Sequence, residues 1–164
     1  MFNAAVLIAS DKGAAGQRAD TSGDVIVRYL EEKGYILKER VMVPDERPLI
    51  ARELIRLCDE VGCDLILTSG GTGFSPRDWT PEATQDVLHR AVPGIPEALR
   101  AASLAITPRA MLSRAVAGIR GSTLIINLPG SPKAVAENLA TLDSALGHGL
   151  EIMTGRTWDC ARRD

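Results

Sequence analysis

Apolar positions along the chain follow two rhythms, and the rhythms alternate. Residues 2–10 and 64–69 hold short, nearly unbroken apolar runs, the second containing Leu65-Ile66-Leu67-Thr68. Runs of this length bounded by turn formers read as buried strands. Residues 22–33 instead place Ile26, Tyr29 and Leu30 on one helical face, with Thr21 or Ser22 as cap and Gly34 as stop. Residues 35–43 read as a strand ending at Pro44-Asp45-Glu46. Residues 48–61 carry Ile50, Leu54, Leu57, Cys58 and Val61 at helical spacing. A helix is predicted over 81–90, with Thr80 as N-cap and Pro81 at the first helical position. Another opens at Pro93-Gly94-Ile95-Pro96 and runs to about 106.

The rhythm then changes. Residues 115–121 and 122–127 predict two strands close together, a short antiparallel hairpin. A helix follows over 132–146 with Val135, Leu139, Leu142 and Leu146 inward, then a short one over 149–153 and a polar, frayed tail at 161–164. Strands alternating with helices predict an α/β fold of three layers, a mainly parallel sheet with helices on both faces. The 164 residues suit one domain, 1–164, without repeat or linker.

Composition narrows the function classes. With 45% hydrophobic and 24% charged residues and a net charge of −2, the chain is an ordinary globular mixture. It lacks the basic stripe of a nucleic-acid binder, so no nucleic-acid partner is expected. No apolar run reaches the roughly 18 residues of a membrane span, so none is expected to enter a membrane. The start MFNAAVLIAS has no basic n-region or cleavage signal and reads as the first strand. Three cysteines form no CxxC; Cys58 lies on a helix stripe and reads as a reduced core thiol, while Cys63 and Cys160 carry no further signal. A cytoplasmic protein is the expectation. His89 and His148 lack partners at zinc spacing.

In parallel sheets ligands bind beyond the carboxyl ends of the strands, and the unusual residues of this chain collect there. Thr68-Ser69-Gly70-Gly71-Thr72-Gly73 follows a buried strand. Its glycines would let backbone N–H groups approach an anion, and Ser69, Thr72 and Ser75 would add hydroxyls; as a bare motif it is equally a flexible turn. No Gly-Lys-Ser/Thr follows, so it is not a Walker A loop. Asp78 precedes a helix, where it either suits the helix dipole or holds Mg²⁺ beside the loop. Arg77 is either a phosphate fork or a surface charge. Asp45 is either a turn residue or the second carboxylate of the same site, the two acids standing on neighbouring strand ends. Asn127-Leu128-Pro129-Gly130-Ser131-Pro132-Lys133 brings a turn onto a helix N-terminus, an anion site to which Ser131 and Lys133 can add contacts, or an ordinary capped turn. Ser113-Arg114 reads equally as loop polarity or as an anion contact.

These loops, in order, resemble one family. Ile8-Ala9-Ser10-Asp11, Val43-Pro44-Asp45-Glu46, the glycine loop, Arg77 to Thr84 and Asn127 to Lys133 occur as in the MogA/MoaB proteins of molybdenum-cofactor biosynthesis; Pro93-Gly94-Ile95, Met111-Leu112-Ser113-Arg114 and Ala117-Gly118 are similar too. The resemblance implies an adenylyltransferase that joins molybdopterin phosphate to the AMP part of ATP and releases pyrophosphate, with Mg²⁺. It maps catalysis and metal binding onto Asp45 and Asp78. Pterin and phosphate contacts map onto Ser10, Asp11, Ser69, Gly70, Gly71, Thr72, Gly73, Ser75, Pro129, Gly130, Ser131 and Lys133. It further implies a homotrimer or hexamer and delivery to a molybdate-insertion protein. Trp79 departs from the small aliphatic residue usual in the family, and the C-terminus is shorter than in longer MogA-type members. A non-catalytic pterin carrier and a CinA-type nucleotide pyrophosphatase are the rival readings.

Overall fold

The computed structural model describes residues 1–156; the expected polar tail and Cys160 lie outside the described residues. The elements are β1 (Asn3–Ala9), α1 (Asp11–Ala14), α2 (Thr21–Glu32), β2 (Ile36–Val43), α3 (Arg47–Asp59), β3 (Leu65–Ser69), α4 (Thr80–Val87), β4 (Arg90–Ala91) and α5 (Gly94–Leu104). A 3-10 turn (Pro108–Leu112), β5 (Ala117–Arg120), β6 (Thr123–Leu128), α6 (Pro132–Leu142) and α7 (Leu146–Met153) complete them.

The strands form one sheet in the order β2-β1-β3-β6-β5-β4. The pairs β2-β1, β1-β3 and β3-β6 are parallel, and β6-β5 and β5-β4 antiparallel. The predicted hairpin is thus β5-β6, and the expected three-layer, mainly parallel architecture holds.

Side-chain alternation along the strands divides the core. Ala4, Val6 and Ile8 of β1 face one way with Leu65, Leu67, Ile126 and Leu128, where Ile26 and Leu30 of α2, Leu99 of α5, and Val135 and Leu139 of α6 cover them. Ala5, Leu7 and Ala9 face the other way with Ile66 and Ile125, under Ile50, Leu54, Leu57 and Cys58 of α3 and Ala83 and Val87 of α4. Each fully buried leucine or isoleucine here contributes about 1.5–3 kcal/mol relative to exposure. Among the described residues no helix is long and apolar enough to cross a membrane.

Several boundaries differ from the sequence pattern. Asp20, rather than Thr21 or Ser22, caps α2: its carboxylate accepts from the Gly23 N–H. Thr80 is the first residue of α4, not its cap, and that helix ends at Val87 because the chain turns into the edge strand β4. The helix predicted over 132–146 stops at Leu142, and Leu146 starts α7. The loop expected after β1 contains the single helical turn α1.

Candidate active site

The register of the sheet assembles the site. Ala9 pairs with Val43, Ile8 with Ser69, and Ser69 with Leu128. Four parallel strands therefore end abreast, and the loops beginning at Ser10, Pro44, Gly70 and Pro129 start side by side. From β1 the chain crosses to β2 on one side; from β3 it continues to the other. The crevice between β1 and β3 is thus the topological switch point, where open α/β sheets bind ligands.

Two glycines make that crevice possible. Gly70 has φ +92° and Gly71 φ +65°, values that disfavour any residue with a Cβ. A Cβ on Gly70 would run into the Ala9 carbonyl oxygen, and one on Gly71 into the Thr80 hydroxyl, 3.3 Å from Asp45 Oδ1. A Cβ on Gly73 would stand 2.9 Å from Asp78 Oδ2. The glycine loop thus runs directly beside both acids.

Asp45 and Asp78 both flank the glycine loop, although not from neighbouring strands as the sequence suggested. Asp45 follows β2 and Asp78 follows β3, with β1 between them. Asp11, at the end of β1, fills the gap. Its N–H donates to Asp45 Oδ2 at 2.8 Å, and the Asp45 N–H donates to Asp11 Oδ1 at 3.0 Å. Arg77 forks onto Asp11, with Nε and Nη2 each 2.9 Å from a carboxylate oxygen. Asp78 Oδ2 accepts from the Ser75 N–H at 2.9 Å.

The electrostatics follow from this packing. The Arg77 guanidinium holds the Asp11 carboxyl below the usual carboxylate range. Asp45 is pushed up, first by partial burial and then by the negative charges of Asp11 and Asp78, against the hydrogen bond from Asp11. A half-buried acid facing two others favours a cation or proton. Among the described residues no group of three or more His, Cys, Asp or Glu side chains converges tightly enough to hold a metal ion alone.

The remaining predicted residues divide by role. The Ser10 hydroxyl caps α1 by accepting from the Gly13 N–H at 3.0 Å. Ser69 is buried; its hydroxyl donates to the Pro129 carbonyl at 2.8 Å and lies 3.0 Å from Ser22 Oγ, so it ties β3 to the following loop and α2. Ser131 opens α6 without a side-chain bond to its first turn, so it does not cap the first-turn N–H groups of that helix. Lys133 is exposed and has no ion pair among the described residues.

Three residues weigh more than their sequence context signalled. Arg114, left open between loop polarity and anion contact, grips the glycine loop. Its Nε donates to the Gly73 carbonyl at 2.7 Å, its Nη2 to the Asp78 carbonyl at 2.6 Å, and its Nη1 to Glu82. Asn127 is buried at the end of β6 and donates to the hydroxyls of Thr68 and Thr84. Thr80 is fully buried, and its hydroxyl has no hydrogen-bond partner among the described residues. A lone Arg or Thr gives no local periodicity by which to find such roles.

The glycine loop stands among three cavities. One, of about 140 Å³, is lined by Ser10, Arg18, Asp20, Ser22, Gly70 and Gly130. The second, of about 260 Å³ and more apolar, is lined by Gly73, Leu99, Arg100, Ser113, Pro129 and Asn138. The third is an open cleft of about 330 Å³ formed by Asp45, Glu46, Arg47, Pro48, Arg77 and Trp79. The first cavity reaches Gly70 and the second Thr72 and Gly73, so space opens at both ends of the glycine loop, and Asp45 lines the third cleft. His89 lies elsewhere, accepting from the Gly121 N–H at the opposite sheet end.

Comparison with known proteins identifies the family and the fold. Residues 5–148 match the family model described as "Probable molybdopterin binding domain". The molybdopterin adenylyltransferase of Helicobacter pylori strain J99 is 45% identical over 154 residues, 92% of this chain and 86% of that protein. The molybdopterin adenylyltransferase of Escherichia coli K12 is 46% identical over 142 residues, 85% of this chain and 72% of that one. The crystal structure of the molybdopterin biosynthesis enzyme MoaB from Thermus thermophilus superposes with a TM-score of 0.89 at 48% identity, covering 97% of this chain and all of the other. The extent of these matches, together with the paired acids around the glycine loop, shows that the chain belongs to the MogA/MoaB family of molybdenum-cofactor biosynthesis proteins.

Proposed function

We propose that this chain transfers the adenylyl group of ATP to the phosphate of molybdopterin and releases pyrophosphate. The observation that carries the proposal is the placement of Asp45 and Asp78 beside the glycine loop at the β1-β3 switch point. Relatives at 45–46% identity that bear the name molybdopterin adenylyltransferase support it.

In this reaction an oxygen of the pterin phosphate attacks the α-phosphorus of ATP. The bond from that phosphorus to the bridging oxygen of pyrophosphate breaks, leaving a phosphoric anhydride between AMP and the pterin. Both reactants are anionic, so the site must hold them in line and screen them. The glycine loop offers backbone N–H groups, and the open first turn of α6 with Ser131 and Lys133 offers more. The cavities at the two ends of the loop would hold the nucleotide and the pterin apart, with their phosphates brought together along the loop.

The residues fit Mg²⁺. Asp45 and Asp78 are hard oxygen donors, and the unpartnered Thr80 hydroxyl faces the same side of Gly71 as Asp45. Two protein carboxylates suit an ion that takes its remaining ligands from substrate phosphates and water. When bound, Mg²⁺ supplies charge neutralisation at the reacting phosphates. Asp45 and Asp78 would hold it, and Asp11 and Arg77 keep Asp45 oriented.

Two further parts of the reading follow. A trimer or hexamer is proposed, supported by the exposed apolar side chains Leu104, Ile106, Met111 and Leu112 along one stretch. A cytoplasmic location is proposed on the two free, buried thiols Cys58 and Cys63, with the adenylylated pterin passed to a molybdate-insertion protein. The test is pyrophosphate release from Mg-ATP. Release that requires molybdopterin supports transfer. Release without it indicates hydrolysis, and pterin binding with no release indicates a carrier.

A further inference from the structure

We infer that the Arg77–Asp11 ion pair is a positioning strap that sets the spacing between Asp45 and Asp78, rather than a phosphate-binding arginine with an acidic neighbour. The inference rests on the proposed role of the two acids. Its argument begins with topology. Asp45 and Asp78 leave strands separated by β1, so no ladder of hydrogen bonds joins their loops directly. The shortest described hydrogen-bonded connection between the two acids runs through Asp11. Arg77 is the residue next to Asp78, and it forks onto both oxygens of Asp11 at 2.9 Å. Asp11 in turn exchanges two backbone-to-carboxylate hydrogen bonds with Asp45.

Counting donors and acceptors favours this role. Asp11 Oδ1 accepts from both Arg77 and the Asp45 N–H, and Oδ2 accepts from Arg77. Its carboxylate is thus committed to orienting neighbours. Arg77 spends Nε and Nη2 on Asp11, and Glu46 lies 3.9 Å from Nη2. A guanidinium held among Asp11, Asp45 and Glu46 already has its counter-charges. Forked pairs of this kind fix geometry as well as charge. Both side chains are about half exposed, so the pair adds little to global stability and its removal leaves the fold intact.

Two experiments test the strap, one independent of turnover. Amide hydrogen exchange is measured by NMR in the parent and in Arg77→Gln. Release of Asp11 should speed exchange at the Asp11 and Asp45 amides about fivefold or more, while Leu67 in β3 keeps its parent rate. Unchanged exchange at both loop amides overturns the strap, whether or not the chain is active. The second is a double-mutant cycle of Arg77→Gln and Asp11→Asn on adenylyl transfer. Each single change should lower kcat about tenfold with the KM for ATP within about twofold, and the double variant should be no slower than the slower single. Arg77→Lys, which keeps charge but not the fork, should recover only part of the rate. A raised KM for ATP in Arg77→Gln, with multiplicative losses in the double variant, overturns the strap in favour of direct phosphate contact. An inactive parent removes the adenylyltransferase reading, and the exchange experiment still decides the strap.

Discussion

Replacing Arg114 with alanine is the most informative perturbation of the loop itself. In the native protein its side chain donates to the Gly73 and Asp78 carbonyls and pairs with Glu82. Arg114 is 33% exposed and Glu82 25%, so neither is fully desolvated. A buried hydrogen bond involving a charged group contributes about 1.5–3 kcal/mol, and exposed ion pairs much less. Two carbonyl contacts at the low end of that range, plus a weakened ion pair, give a loss of about 2–4 kcal/mol. The penalty rises within that range because Glu82 Oε2 is buried without a hydrogen-bond partner among the described residues and would lose its neighbouring cation. Urea unfolding with linear extrapolation measures the loss. Arg114→Lys should retain about half, since an ammonium cannot reach all three acceptors at once. A cycle with Glu82→Gln should show coupling of about 1 kcal/mol or more. A loss below about 0.5 kcal/mol for Arg114→Ala, the level of an ordinary surface change, would refute the assignment of Arg114 as the clamp of the glycine loop.

Other outcomes follow from the same geometry. Asp45 has its pKa raised on folding, so the folded chain binds that proton more tightly than the unfolded chain, and stability falls as pH rises from the ordinary Asp range through the raised value. Asp45→Asn should flatten that part of the stability–pH curve and be at least as stable as the parent at neutral pH, while adenylyl transfer drops at least about a hundredfold; a variant that unfolds more easily at neutral pH contradicts the sign. Gly71→Ala forces a Cβ into φ +65° against Thr80, at a cost of about 1–2 kcal/mol, and calorimetry should find ATP binding lost or greatly weakened. Asp20→Ala removes the α2 cap and one of the two carboxylate partners of Arg40, and thermal or urea unfolding should show a loss of about 1–2 kcal/mol.

Much of this fold can be read from the chain because the central strands are buried on both faces. A strand such as Leu65–Ser69 is buried along its whole length and opens with the apolar run Leu65-Ile66-Leu67, which separates it from the amphipathic helices around it. The strand ends then bring the right loops to one edge. What escaped the pattern has little apolar content or depends on distant partners. β4 is two exposed residues paired only to β5. The break at Asp143 interrupts a stretch whose apolar spacing continues through Leu146. Asp20 lies one position before the residues that also suit a cap, and its choice reflects Arg40 from the neighbouring β2. The acids were legible as members of one site but not in their spacing, because their strands are separated by β1 and the link between them runs through Asp11. Arg114 lies 41 positions from Gly73, whose carbonyl it binds, and only the folded chain brings the two together.

The most direct test of the central claim follows label from α-labelled ATP in the presence of Mg²⁺ and molybdopterin, for the parent beside Asp45→Asn and Asp78→Asn. The account predicts label in a pterin-bound product, one pyrophosphate released for each, and loss of nearly all transfer in both variants while each still binds the pterin. Label appearing only as free AMP, or transfer at parental rate in both variants, would contradict it.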